Sequence, residues 1–187
     1  MTRYTTYGDI TQVQTTGASQ TTANQDNLNY SGVAASQRLV NTDLQRLNQY
    51  KSLIKDVADA KEIDAALIGA IMSRESRAGN CLQNGWGDHG NAYGLMQVDK
   101  RHHNIKGSWN SKEHVMQATQ ILIDMIHAIG LKFPSWTSEK QLKGGISAYN
   151  MGPGNVSSYA EVDSHTTGRD YSNDVVARAQ WLIDQGF

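Results

Sequence analysis

The sequence predicts an α+β protein, mainly α, with a central buried helix and a small antiparallel sheet beside it. Three observations carry this. Apolar residues recur at helical spacing over long segments, as in Leu67, Ile68, Ile71 and Met72, or Leu44, Leu47, Tyr50, Ile54 and Val57. The segment from Asn110 to Ile129 is apolar around most of its circumference, the pattern of a helix enclosed on all sides. Asn80 to Gly107 then lacks helical period and is punctuated by Gly85, Gly87, Gly90, Gly94 and Gly107, which suits short strands and turns.

Bulk properties narrow the class. A chain of 187 residues is most simply one domain, long enough to bury about 70% of its unfolded surface. With 39% hydrophobic and 19% charged residues it can fold on a core. A formal net charge of -1 argues against a dedicated nucleic-acid binder. No apolar run approaches the ~18 residues of a membrane span. Met1 to Tyr7 lacks the apolar stretch of a signal peptide. Cys81 is the one cysteine, so no intrachain disulfide can form, which suits a reducing compartment.

Taken in order, residues 1–35 are rich in Thr, Gln, Asn and Ser and are expected to be irregular cover, with residues 36–187 forming the core. Thr42-Asp43-Leu44-Gln45 reads as a capping box opening a helix to about Lys61. Asp64 caps the next helix and Gly79 ends it, which puts Glu75 in its last turn. Asn84-Gly85 and His89-Gly90-Asn91 are turn signals, with Tyr93 to Val98 the best strand material. A helix from Asn110 or Ser111 is stopped by Gly130 and barred by Pro134. Ser138-Glu139-Lys140-Gln141 is a second capping box, and Leu142, Ile146 and Tyr149 share the face of its helix. Gly144-Gly145 costs about 1 kcal/mol per glycine there, tolerable where another backbone packs closely. A turn at Met151-Gly152-Pro153-Gly154 precedes a last helix from Ser172 or Asn173, with Val175, Val176, Ala179, Leu182 and Ile183 inward.

Glu75 is the anomaly. It falls on the face of Leu67, Ile68, Ile71 and Met72, so the pattern that buries four hydrophobes carries a carboxyl with them. Apolar surroundings and the negative end of the helix dipole both disfavour its ionisation. That is the direction wanted in an acid that donates a proton near neutral pH. A structural glutamate paired with Arg74, Arg77 or a distant basic group, or one exposed at a frayed helix end, is the competing reading. Asp88 and Asp99 in the Gly-rich segment complete a trio suited to acid/base hydrolysis of a glycosidic bond. Surface ion pairing would equally explain two aspartates among 18 acidic residues. His89, His102 and His103 form no metal-ligand spacing, Cys81 has no partner set for a thiol nucleophile, and no cofactor motif is present. Tyr149-Asn150 offers a sugar ring an aromatic face and an amide, or else is a core tyrosine with a capping asparagine.

Read together, Glu75-Ser76, Gly94-Leu95-Met96-Gln97 and Ala148-Tyr149-Asn150 resemble signatures shared by goose-type lysozymes and soluble lytic transglycosylases. The likeness to goose-type lysozyme extends through Ser73-Arg74-Glu75-Ser76, Asn84-Gly85-Trp86-Gly87-Asp88, Tyr93 to Arg101, Phe133-Pro134-Ser135-Trp136 and Asp174 to Gln180. Thr15-Thr16-Gly17-Ala18-Ser19 and Gly144 to Asn150 match as well, so the resemblance covers essentially the whole chain. The four cysteines of the avian enzymes are missing, and the chain is more similar to the fish branch.

The resemblance implies a lysozyme-like fold and hydrolysis, with inversion, of the β-1,4 bond between N-acetylmuramic acid and N-acetylglucosamine in bacterial peptidoglycan. It implies that Glu75 is the general acid and that Asp88 and Asp99 hold and activate water. It assigns His103, Met125, Tyr149, Asn150 and Tyr171 to sugar contacts, with Met125 standing where an avian relative has Phe. A monomer acting in antibacterial defence is expected, without cofactor or metal, and a bacterial inhibitor protein filling the cleft is a partner the resemblance suggests. An extracellular setting is implied too, whereas the lone cysteine and the missing leader leave cytoplasmic retention or non-classical release open. A lytic transglycosylase would need Glu75 but no activated water, and a binding protein that had lost catalysis would need none of the three carboxylates.

Overall fold

The structure, a computed structural model, describes residues 3–187. It is mainly helical with one three-stranded antiparallel sheet, the α+β architecture expected. The N-terminal stretch carries only a 3₁₀ turn at Ile10–Gln12, the four-residue helix α1 (Gln20–Ala23) and another 3₁₀ turn at Asn24–Asp26. Ile10 and Val13 nonetheless sit in the main apolar cluster, together with Phe187 at the other end of the chain.

The first long helix, α2 (Val33–Gln49), opens after Gly32, so Thr42 is helix interior rather than a cap. Its hydroxyl bonds back to the Arg38 carbonyl four residues earlier. Asp43, the supposed capping-box residue, is fully buried and accepts from Ser73 and Arg77 instead. A break at Tyr50 separates α2 from α3 (Lys51–Lys61), so the one expected helix is two.

The enclosed helix is α4 (Ala65–Ser76), not the Asn110–Ile129 segment. Every residue from Ala65 to Ser73 is buried, with α2, α3 and α7 (Tyr171–Asp184) packed around it. Gly69 lets α7 come close: a β-carbon there would lie 3.1 Å from Leu182 Cδ1. Asp64 caps α4 by accepting from the Ala66 amide, as expected. The end differs from expectation: Arg77 and Ala78 turn left-handed before Gly79 does. Arg77 holds that strained exit because its guanidinium is clamped by Asp26 and Asp43.

The longest helix, α5 (Lys112–Lys132), is amphipathic. Val115, Ala118, Leu122, Ile123, Ile126 and Ile129 are buried, while Asp124 and Leu131 are exposed. Gly130 does not stop it. The helix ends at Lys132, with Phe133 outside the helical region before Pro134, which cannot continue it. Thr137, rather than Ser138, caps α6 (Ser138–Met151). The close approach predicted at the paired glycines is present: a β-carbon on Gly145 would lie 2.4 Å from Ile126 Cγ1 and 2.7 Å from its Cα.

The sheet comprises β1 (Trp86–Gly87), β2 (Ala92–Tyr93) and β3 (Val98–Asp99), in that order. Asn84 and Gly85, both at positive φ, form a two-residue turn between Gln83 and Trp86, which exchange two backbone hydrogen bonds. The expected strand Tyr93–Val98 is in fact the end of β2, a turn over Gly94–Gln97, and the start of β3.

Candidate active site

The sheet register gathers two carboxylates. Gly87 pairs with Ala92, and Ala92 with Asp99, so these three residues form one row across the sheet. Asp88, next after Gly87, therefore emerges at the same end as Asp99. Arg101 joins them: its guanidinium lies 2.6 Å from Asp99 Oδ2 and 3.7 Å from Asp88 Oδ2. Asp99 also accepts the Arg101 backbone amide. Hydrogen bonds from the Arg101 side chain, aided by that amide, hold the Asp99 carboxyl down to about 2. Asp88 stands differently. It is exposed and, with His89 and Gly90, makes three successive residues at positive φ. Two of those three are not glycine, a conformation that costs energy and is commonest at functional sites.

Glu75 comes from another element, the last turn of α4. The next residue, Ser76, ties that turn to the sheet by donating to the Leu95 carbonyl at 2.8 Å. The preceding residue, Arg74, is locked to Asp174 at 2.7 Å and Asp170 at 3.0 Å and donates to the Thr167 carbonyl. Both neighbouring arginines thus take aspartates as their ion-pair partners. The hydrogen-bond partner of Glu75 is the Tyr171 hydroxyl, which donates to Oε1 at 2.6 Å. Burial pushes the Glu75 carboxyl up to about 7. The Tyr171 bond and the Arg74 charge pull the other way, and Asp88 adds to the rise. Removal from water outweighs them because two offsetting contacts replace only part of a carboxylate's hydration.

Beneath Glu75 runs a buried ionic web. Asp174 accepts from Ser36, Arg74 and Arg178, and Arg178 donates on to Ser73. Burial alone would raise Asp174, but Arg178 and Arg74 hold it below the usual carboxylate range. This web stitches α2, α4 and α7 together immediately behind the acid.

Two concavities meet at Asn150. A groove of about 580 Å³ is lined by Gln97, Asp99, Arg101, His103, Met125 and Tyr149, among others, and by Asn150. A crevice of about 230 Å³ holds Glu75, Tyr171, Thr22, Gln25 and Asn150. All the residues singled out from the sequence line one or the other except Asp88, which adjoins through Arg101. Tyr149 crosses the groove floor and donates to the Met96 carbonyl at 2.6 Å. Asn150 accepts the Thr167 amide and donates to the Thr167 hydroxyl, so its amide is oriented by a loop distant in sequence.

Sequence reasoning gave no site role to Arg101 or to the N-terminal Thr22 and Gln25, and weighed Arg74 only as a partner for Glu75. Arg101 had a signal, two residues beyond Asp99 in the same turn. The wall from α1 had none, since nothing local says where an irregular segment folds back. Among the described residues, no three His, Cys, Asp or Glu side chains cluster as metal ligands.

Comparison with known proteins gives the family. The profile described as Lysozyme g matches residues 7–186. Lysozyme g of Struthio camelus is 58% identical over 97% of this chain and 89% of its own length. Lysozyme g of Epinephelus coioides is 56% identical over 96% of this chain and 97% of its own length. Lysozyme g of Cyprinus carpio is 54% identical over 97% of this chain and 98% of its own length. Bird and fish relatives thus match over nearly the whole chain, and the chain belongs to the lysozyme g family.

Proposed function

We propose that the protein is an inverting lysozyme that cuts the β-1,4 bond between N-acetylmuramic acid and N-acetylglucosamine in bacterial peptidoglycan. The observation that carries this is Glu75: a carboxyl raised to about 7, in a crevice that continues through Asn150 into the larger groove. Near neutral pH a large fraction of it is protonated. It gives that proton to the leaving glycosidic oxygen as the bond to the anomeric carbon breaks. Water attacks that carbon from the opposite face and passes its proton to the aspartate pair. Arg101 keeps Asp99 ionised, and the shared end of the sheet lets Asp88 and Asp99 hold one water between them. Inversion requires the acid and the base to stand far enough apart to admit that water between them.

Tyr149, Asn150, His103 and Met125 are the sugar contacts of the groove in this reading, and Tyr171 orients the acid. In this reading the chain acts as a monomer; Ile10 and Phe187, near its two ends, share one apolar cluster, as in a single folding unit. By family resemblance it works extracellularly, whether exported or released by a non-classical route, and an inhibitor protein there would have to fill the same groove.

Incubation with defined peptidoglycan tests the reading. The first-formed product should carry the α-anomeric configuration and ordinary reducing ends. Retained β configuration, or 1,6-anhydro-muramic ends, would overturn it.

A further inference from the structure

His114 lies on the first turn of α5, outside both concavities, and is fully buried. Its Nε2 accepts the Met96 backbone amide at 3.0 Å. An imidazole nitrogen that accepts carries no proton, so the ring is neutral and its proton is on Nδ1. Nδ1 finds no hydrogen-bond partner among the described residues. The ring is pressed against the backbone of Gly94, where a β-carbon would lie 2.3 Å from it. Tyr93 on β2 meets it edge-on at 6.3 Å and is the titratable side chain packed against it; the turn presents backbone, and Ser111 a hydroxyl to the His114 amide. Burial is the one cause lowering its pKa, to about 4, with no neighbouring charge involved.

The Met96 amide belongs to the turn between β2 and β3. Its own carbonyl receives the Tyr149 hydroxyl, Leu95 receives Ser76 from the end of the Glu75 helix, and β3 then delivers Asp99. We propose that His114 is a positioning residue for glycan cleavage, its neutral imidazole holding the Gly94–Gln97 turn so that Tyr149 and Asp99 keep their places. The activity it supports rests on the lysozyme reading above. Protonation would set an N–H on Nε2 against the Met96 N–H, donor to donor, and the ring cannot slide away past Gly94. The turn must then give, and the cleft loosens in acid.

Two variants and one titration test this. His114→Phe, lacking an acceptor, should lose at least tenfold in kcat/KM. His114→Gln, whose amide oxygen can accept the Met96 N–H, should stay within threefold of the parent. The acid limb of the parent's profile should have its midpoint near 4, the His114 value, and in His114→Gln it should move toward the Asp99 value of about 2. Unchanged kcat/KM in His114→Phe, or the same acid midpoint in His114→Gln, would overturn the proposal. Should His114→Phe fail to fold, NMR of the parent chain decides. The Met96 amide resonance should shift with the midpoint of the His114 ring, and a flat amide through that titration would refute the link. The NMR result is independent of glycan cleavage, so a protein that cuts no glycan would sink the lysozyme reading and leave this test standing.

Discussion

The Tyr171 hydroxyl donates to Glu75 Oε1 at 2.6 Å, across the junction of α4 and α7. This bond favours the charged carboxylate and so opposes the burial that raises its pKa. Tyr171→Phe should therefore raise the Glu75 pKa further, by about one unit for a hydrogen bond to a charged group. The basic limb of the kcat/KM profile should move up in pH by that amount. A limb that stays put or moves down would mean that Tyr171 does not govern the acid.

Glu75→Gln should cut turnover by about 10³-fold, in the usual range for losing a general acid, while oligosaccharide binding persists. It should also stabilise the fold, and more so at high pH. The native carboxyl keeps its proton up to about 7, whereas in the unfolded chain it releases it near 4.5. Between those values the native state binds more protons, so stability falls as pH rises through that window. The variant carries no such penalty. Its gain over the parent in denaturant melts should grow by roughly 2–3 kcal/mol from pH 4 to pH 8; an equal gain at both would contradict the burial of this carboxyl.

Asp88→Asn or Asp99→Asn alone should cost less than Glu75→Gln, because the two share one end of the sheet and one arginine. The double variant should approach the loss seen on removing the acid; full activity there would remove both from the mechanism. Arg101→Met should release Asp99 from about 2 toward the ordinary range for an aspartate. The carboxyl ¹³C resonance of Asp99 reads this directly.

Asp43→Ala should be the most damaging change far from the groove. Asp43 is fully buried, with Arg77, Ser73 and Arg46 all donating to it. Its removal strands part of the Arg77 guanidinium and loosens the left-handed exit of α4. A loss of about 3–5 kcal/mol is expected in urea unfolding, the range for breaking a buried pair from one side. Because that exit carries Glu75, activity should fall even at temperatures where the variant is folded.

Dithiothreitol should leave activity and melting temperature unchanged. Cys81 is the one cysteine of the sequence and its thiol is free. A loss of activity in reductant would point to a covalent contact between chains.

The sequence by itself determined the helical periods, the Asp64 cap, the Asn84-Gly85 turn and the inward direction of Glu75. Each follows from residues within a turn or two of one another, where side-chain spacing and backbone preference act directly. It misjudged boundaries wherever a distant partner competed for a local signal. Asp43 looked like part of a cap and is instead a buried acceptor for Ser73 and Arg77, so the helix begins at Val33. Gly130 looked like a stop, but the helix runs on to Lys132, where the Phe133 amide still bonds to the Ile129 carbonyl. Tertiary structure alone decided that α4, not α5, is enclosed, because enclosure depends on how many other elements bring apolar faces to it. Tertiary structure alone also decided that Asp88 and Asp99 emerge together, that Arg101 joins them, and that Tyr171, 96 residues away in sequence, meets Glu75. A carboxyl's proton affinity is set by what surrounds it in space, so the sequence could give the direction of the Glu75 shift, and the groups that oppose it came only with the fold.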